Sequence, residues 1–316
     1  MRMTPRHPTG FNTDAHIDAP ALAHPRACSC ALHSRRLFGS AFLAGGAVAF
    51  AGPALAQEGV QGDVGRESRF TKLVSAEQVE AAAAQQYAQM MREAAQKRAL
   101  APADDPQLQR LRAIANRIIP FSSPWNARAE QWKWEVNLIG SQQVNAFCMP
   151  GGKIAFFYGI LQKLQLSDDE VATIMGHEVA HALREHARER MGKTAATRLG
   201  AGLLSGLLGL GGAGDALLNM GGQLLSLTFS REDESEADIV GMDLAARAGH
   251  NPRAGISLWE KMMAVSKGAP PEFLSTHPSG PTRIRDIEAK LPKVEPLFAR
   301  APRPERRFGP PPLRAG

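Results

Sequence analysis

The chain has 316 residues, of which 44% are hydrophobic and 22% are charged, and this globular composition excludes collagen-like and wholly disordered proteins. The net charge of +6 would suit a nucleic-acid-binding protein, but the charge is concentrated at the two ends. Residues 1–56 carry five arginines against two aspartates, and residues 297–316 carry five arginines against one glutamate. The residues between them are close to neutral, so nucleic acid is not an expected partner.

The first 56 residues have the pattern of an export signal. Arg35 and Arg36 precede an uncharged stretch, 37–56, which ends in an Ala-x-Ala sequence. A basic region, an apolar region and a small-residue cleavage site together make a secretory signal peptide, and the paired arginines resemble a twin-arginine signal. We therefore predict cleavage after Ala56 and a periplasmic location, with an uncleaved membrane anchor as the alternative.

The next part of the chain predicts two helices followed by a small sheet. A Ser-Ala-Glu-Gln capping box opens a helix that runs from about 75 to 100, and an Asp-Pro pair opens a second helix that ends near 119. Apolar residues then alternate with polar ones from 132 to 138. Two further extended runs, near 144–147 and 154–158, complete a short, mostly antiparallel sheet.

The second half of the chain is predicted to be helical. A capped helix is expected from 168 to about 191. The segment 199–230 has one charged residue and nine glycines, which predicts a buried helical pair or, as the alternative, a hairpin that touches a membrane or covers the site. Shorter helices follow, at about 231–248, 253–266 and 281–290. The Pro- and Arg-rich end, 297–316, is expected to be disordered.

The clearest functional motif is His177-Glu178-x-x-His181, on the helix predicted from 168. Histidines at positions i and i+4 share one helical face, so both imidazoles can bind one metal ion. Glu178 can contact a metal-bound water without ligating the metal, and it can transfer the proton of that water to a leaving amine. This motif predicts one zinc ion per chain, held by three protein groups with one position open.

The third ligand is sought among later acidic residues. A Gly and a third His would extend the motif in another metalloprotease class, but Arg184 and Ala187 stand at those positions. The next acidic cluster contains Glu234 and Asp238, which are one helical turn apart and share a face. One carboxylate can ligate the metal while the other orients a ligating histidine.

Four segments in this order resemble metallopeptidase family forty-eight, a zinc gluzincin family that includes HtpX, the CAAX prenyl endopeptidases, mitochondrial Oma proteases, BepA and LoiP. The segments are Asn145-Ala146-Phe147 with a Pro-Gly-Gly turn, the His-Glu-x-x-His helix, the helix carrying Glu234 and Asp238, and His277-Pro278 with Arg283. The single-domain, periplasmic LoiP- and Oma-like type is the most similar.

The resemblance implies the roles of further residues. It makes Glu234 the third metal ligand, and it implies that Asn145, Ala146 and Phe147 bind an extended substrate at a sheet edge. It places His277 near the metal, where it stabilises the oxyanion or caps the resting metal. Asp238 and Arg283 are expected to support the ligands, although Arg283 can equally serve only as the ion-pair partner of an acid.

The sequence thus predicts an α+β, mostly helical gluzincin-type metallopeptidase with a short antiparallel sheet beside the zinc helix. The domain is expected to span 57–296. Its predicted function is that of a zinc endopeptidase, which acts on misfolded envelope proteins in protein quality control and touches a membrane only peripherally, through 199–230. The alternative is a zinc-bound chaperone or scaffold with little proteolysis. The oligomeric state is left open.

Overall fold

The computed structural model describes residues 59–207, 224, 227–266, 271–277 and 282–312. The predicted signal peptide lies outside the described residues, and so does most of the predicted hairpin at 199–230. Among the described residues, no helix is long and apolar enough to cross a membrane.

Helices surround a small three-stranded sheet, as the sequence predicted. The helices are α1 (Ala76–Gln96), α2 (Pro106–Ile118), α3 (Tyr158–Lys163), α4 (Asp168–Leu183), α5 (His186–Leu207), α6 (Arg231–Arg247), α7 (Ala254–Val265), α8 (Glu272–Thr276) and α9 (Arg283–Arg300). The strands are β1 (Glu135–Ile139), β2 (Ala146–Met149) and β3 (Lys153–Phe157). The prediction of a mostly helical α+β fold is confirmed.

Side chains cap the helices that carry the site. The Ser167 hydroxyl accepts from the Glu170 backbone N–H while the Glu170 carboxylate accepts from the Ser167 N–H, which is the predicted capping box of α4. Ser230 and Asp233 form the same arrangement at the start of α6. These caps satisfy backbone groups that a helix terminus leaves unpaired, so they fix where both helices begin.

The sheet is mixed, whereas the sequence predicted an antiparallel one. β2 and β3 form an antiparallel hairpin, but β1 pairs with β3 in parallel, in the order β1-β3-β2. The reason is that the segment connecting β1 to β2 passes over the end of β3, where the Phe157 N–H donates to the Asn145 carbonyl. β3 therefore lies between the two earlier strands, and β2 is left at an edge of the sheet.

The two faces of the sheet pack against different helices. Leu138, Ile154 and Phe156 belong to the core that contains α2 and α4, whereas Phe147 and Ala155 pack with residues of α1. Successive strand residues point to opposite faces, so each strand contributes to both cores. This packing places α4 against the sheet, and it is the helix that carries the His-Glu-x-x-His motif.

α4 and α6 approach each other closely at a pair of glycines. A Cβ added to Gly176 would lie 2.5 Å from the Gly241 carbonyl oxygen, and one added to Gly241 would lie 2.6 Å from the His177 backbone nitrogen. Real Cβ atoms do not tolerate such contacts, so only glycine allows this spacing. We call this contact the glycine notch; it brings His177 next to the acidic residues of α6.

The prediction of a single helix from 168 to 191 is wrong, because the helix ends at Leu183. Glu185 adopts a left-handed backbone conformation with φ of 56°, which ends α4 before α5 begins at His186. α5 then continues to Leu207, into the segment predicted to form a hairpin. The break changes the direction of His186, as described below.

The disordered tail predicted for 297–316 is also wrong for the described residues up to 312. Although α9 contains Pro292 and Pro296, it extends to Arg300 because both prolines are exposed while Leu291, Val294 and Leu297 bury its apolar face. The following segment, 301–312, reaches the start of α4. The backbone N–H groups of Phe308 and Gly309 donate to the Asp168 carboxylate at 2.8 and 3.1 Å.

Truncation after Ala301 is therefore expected to lower the free energy of unfolding by about 1–3 kcal/mol. Several hydrogen bonds to α4 would be lost, each contributing about 0.5–1.5 kcal/mol, and part of this loss is offset by the regained chain entropy. Urea unfolding would measure the change. Arg307→Ala is the control, because it removes only a partly exposed ion pair with Asp169, at a cost below about 1 kcal/mol. An unchanged free energy after truncation would contradict the prediction.

Candidate metal centre

Four buried side chains converge at the junction of α4, α6 and α8. They are His177 and His181 on α4, Glu234 on α6 and His277 at the end of α8, and one potential ligand atom from each lies within 4.8 Å of all the others. Each residue is only 3% exposed. The three predicted metal ligands and the late histidine are thus brought together around one point.

The spacing of these atoms suits one metal ion. His177 Nε2 lies 3.0 Å from His181 Nε2 and 3.3 Å from His277 Nδ1. Glu234 Oε1 lies 3.3 Å from His181 Nε2 and 3.0 Å from His277 Nδ1. Tetrahedral ligands about 2.0–2.1 Å from a zinc ion are separated from one another by about 3.3 Å. The donor set of imidazole nitrogens and one carboxylate therefore fits the predicted metal.

His177 is oriented by Asp238, the second acidic residue on the same face of α6. His177 Nδ1 donates to Asp238 Oδ1 over 3.0 Å, because an ionised carboxylate can only accept. This hydrogen bond places the imidazole proton on Nδ1, so that the lone pair of Nε2 faces the centre. Although burial opposes ionisation of Asp238, the adjacent Arg283 guanidinium and the bond from His177 lower its pKa.

Arg283 connects both acidic residues of α6. Its Nε donates to Asp238 Oδ2 at 2.5 Å, and its Nη1 lies 2.8 Å from Glu234 Oε2. The guanidinium also stacks on Trp259, with 3.6 Å between its carbon and the ring centroid. The two interpretations of Arg283 are therefore compatible: it pairs with acidic residues, and those residues belong to the site.

Glu178 lies beside the cluster with an oxygen available for chemistry. Its Oε1 is buried, has no hydrogen-bond partner among the described residues and lies 3.5 Å from His277 Nε2. Burial raises the pKa of Glu178, although the neighbouring histidines oppose this effect. A carboxyl group with a raised pKa is better suited to exchange a proton near neutral pH.

The protonation of His181 and Glu234 also suits metal binding. Burial lowers the pKa of His181 well below its ordinary value, so this imidazole is neutral and can ligate. Burial opposes ionisation of Glu234, but its contacts with the neighbouring histidines outweigh this effect and lower the pKa of Glu234. For His277, burial favours the neutral form, but the charges of Glu178 and Glu234 raise its pKa overall.

The predicted substrate-binding strand lies along the same cleft. Residues 145–150 of the β2 edge share this cleft with Glu178, His181 and His277. Asn145 forms a hydrogen-bonded pair with β3, and Phe147 and Met149 follow it at every second residue, so their backbone groups also face β3. The backbone groups of Ala146 and Cys148 therefore face the open edge. The Asn145 side chain accepts from one of these outward groups, the Ala146 N–H, at 2.9 Å.

Sequence reasoning missed one residue next to the cluster. His186, which no sequence motif assigned to the site, is 1% exposed and its Nδ1 lies 2.9 Å from His181 Nδ1. Its position five residues after His181 would place it on another face of a continuous helix. The left-handed Glu185 was the missing information, and no Gly or Asn in the sequence indicated it.

Comparison with known proteins defines the class of this molecule. The model of peptidase family M48 matches residues 105–291, more than half of the chain, and all four converging side chains lie within this range. The chain belongs to this family of peptidases, which confirms the predicted resemblance.

Several individual metalloproteases are similar to the chain. The mitochondrial metalloendopeptidase OMA1 of Schizosaccharomyces pombe is 38% identical over 185 residues, which are 58% of this chain and 52% of the relative. OMA1 of Arabidopsis thaliana is 41% identical over 48% of this chain and 30% of its own length. The metalloprotease LoiP of Escherichia coli is 28% identical over 62% of this chain and 75% of LoiP. The chain thus spans about half or less of these OMA1 relatives.

The predicted periplasmic location is contradicted by these comparisons. The OMA1 proteins with the higher identities are mitochondrial. The arginine pair followed by an apolar stretch was therefore not sufficient evidence for that export route.

Proposed function

We propose that this chain is a zinc-dependent endopeptidase that hydrolyses peptide bonds within proteins. The observation that carries the proposal is the convergence of His177, His181 and Glu234 beside the unpaired oxygen of Glu178, next to an open strand edge. The names of the related metalloendopeptidases support the same activity.

In the proposed mechanism, His177, His181 and Glu234 would hold one zinc ion per chain, which would polarise the scissile carbonyl and lower the pKa of the attacking water to about 7. Glu178 accepts the proton of that water at Oε1 and donates it to the leaving amine. His277 lies close enough to contact the developing oxyanion or to complete the ligand set at rest. Asp238 and Arg283 keep the ligands oriented.

The substrate is proposed to bind as an added strand. An extended peptide can form backbone hydrogen bonds with the open edge of β2, at Ala146 and Cys148, which aligns its scissile bond with Glu178. Such binding recognises an unfolded segment by its backbone, so misfolded proteins are the proposed substrates. A role in quality control of envelope proteins is the finer part of this proposal, supported by similarity to the β-barrel assembly-enhancing protease of Yersinia pestis, 26% identical over 61% of this chain.

Metal removal tests the proposal. The purified chain is expected to cut an unfolded, carboxymethylated protein at internal bonds, to lose this activity after treatment with 1,10-phenanthroline, and to regain it with Zn²⁺. Mass spectrometry would identify the internal cuts, and elemental analysis should give about one zinc per chain. Binding of the unfolded protein without cleavage would refute the peptidase and favour the chaperone or scaffold.

A further inference from the structure

A chain of hydrogen bonds extends from the metal cluster to the protein surface through His186. His186 Nδ1 lies 2.9 Å from His181 Nδ1, and its Nε2 lies 3.2 Å from Glu236 Oε2. The other oxygen of Glu236 accepts from Arg184 Nε at 2.6 Å. His186 is 1% exposed, so its contact with His181 is shielded from competing water, while its contact with Glu236 is partly buried.

The acceptor at the outer end determines where each proton lies. An ionised Glu236 can only accept, so a His186 imidazole with one ring proton carries it on Nε2 and presents a bare Nδ1 to His181. His181 must then carry its own proton on Nδ1, because two bare nitrogens 2.9 Å apart would repel each other. The remaining nitrogen of His181, Nε2, then directs a lone pair into the cluster, where it faces the bare Nε2 of His177 over 3.0 Å; a metal ion bound by both nitrogens would remove their repulsion.

The opposite arrangement would prevent ligation. A proton on His186 Nδ1 would be donated to His181 Nδ1, and the proton of His181 would then occupy Nε2, where the metal binds. The bare Nε2 of His186 would also face the Glu236 carboxylate. Arg184 Nε donates to Glu236 Oε1 at 2.6 Å, and this guanidinium countercharge favours an ionised Glu236.

We propose that His186 and Glu236 are positioning residues, which fix the tautomer and the ring orientation of the metal ligand His181. His177 receives the same support directly from Asp238, whereas His181 receives it through an intervening imidazole. The inference rests on the proposed function, because it assigns His181 to the metal. Partners of this kind raise metal affinity by holding a ligand ready to bind.

Glu236→Gln is the sharpest test because it preserves size and reverses the proton order. Arg184 Nε requires an acceptor, so the glutamine oxygen is expected to stay with Arg184 and the amide to face His186 Nε2 as a donor. His186 then carries its proton on Nδ1, toward His181. Glu232→Gln is the matched control, since Glu232 is exposed and lies one turn earlier on α6.

The measurement is zinc affinity, by competition with a chromophoric chelator, together with the visible spectrum of the Co²⁺-loaded full chain. Glu236→Gln and His186→Ala are expected to bind zinc on the order of 10–100-fold more weakly than the parent chain and Glu232→Gln. His186→Asn, which keeps an oxygen acceptor near His181 Nδ1, should recover part of the zinc affinity. The melting temperature of the metal-free Glu236→Gln chain should match that of Glu232→Gln.

Equal zinc affinities and equal Co²⁺ spectra for Glu236→Gln and Glu232→Gln would overturn the positioning role while leaving the proposed function intact. The positioning role would also be overturned if Glu236→Gln bound zinc more weakly and melted at a lower temperature without metal, and His186→Asn recovered no affinity. That result would assign His186 and Glu236 a structural role. If the parent chain itself bound no zinc, the proposed function would fail, and the inference with it.

Discussion

Replacing Glu178 with glutamine is expected to lower the rate of peptide cleavage by roughly 10²–10⁴-fold while the chain keeps its zinc. The amide cannot accept a proton from the attacking water, and general acid–base groups contribute rate factors of this size. The ligand atoms of the cluster come from other residues, so the metal site is not dismantled. Substrate binding at the β2 edge should also persist.

The experiment compares kcat/KM on a fluorogenic peptide with zinc content measured on the same sample. Glu232→Gln provides the same chemical change at an exposed position of α6 and should retain parental activity. Cleavage by Glu178→Gln at the parental rate would exclude Glu178 as the general base. Loss of zinc together with activity would show instead that the carboxylate is needed to hold the metal.

Replacing Arg110 with alanine is expected to lower the free energy of unfolding by about 3–5 kcal/mol, the cost of breaking a buried ion pair by removing one partner. Arg110 is fully buried, and its Nε donates to Asp168 Oδ1 while its Nη2 donates to the Leu166 carbonyl, both at 2.6 Å. The substitution leaves Asp168, which is 5% exposed, without its countercharge.

Urea unfolding of the parent and variant chains would measure this effect, provided that both transitions are two-state. Arg92→Ala is the control, because Arg92 is exposed on α1 and its loss should change stability by no more than about 0.5 kcal/mol. A second variant, Arg110→Leu with Asp168→Asn, removes both charges, keeps an acceptor for the Phe308 and Gly309 N–H groups and should be more stable than Arg110→Ala. A loss below about 1 kcal/mol in Arg110→Ala would show that the pair contributes little.

The parts of the site that could be predicted from sequence are those set by local periodicity. His177 and His181 share a helical face wherever α4 lies, and the Ser167 and Ser230 caps mark where two helices begin. The helical class of the fold followed from the same signals. The long-range pairing of Glu234 with these histidines required a family resemblance, because no local pattern encodes the packing of α6 on α4.

The errors arose where one backbone conformation or one tertiary contact overrides the local pattern. The left-handed Glu185 ends α4 early and turns His186 toward His181, although its residue type gives no sign of this. The position of β3 between β1 and β2 could not be predicted, because the sequences of three short strands are compatible with more than one strand order. The tail is ordered by Asp168, whose carboxylate accepts from backbone N–H groups that any residue except proline would supply.

The glycine notch means that the backbone itself sets part of the geometry of the metal centre. Because neither Gly176 nor Gly241 leaves room for a Cβ, the distance between the two ligand-bearing helices is independent of side-chain packing at their contact. Exchanging a ligand residue to favour another metal would leave that distance unchanged. A redesign that needs a wider coordination sphere must therefore begin at the notch, with a larger residue that acts as a spacer between α4 and α6.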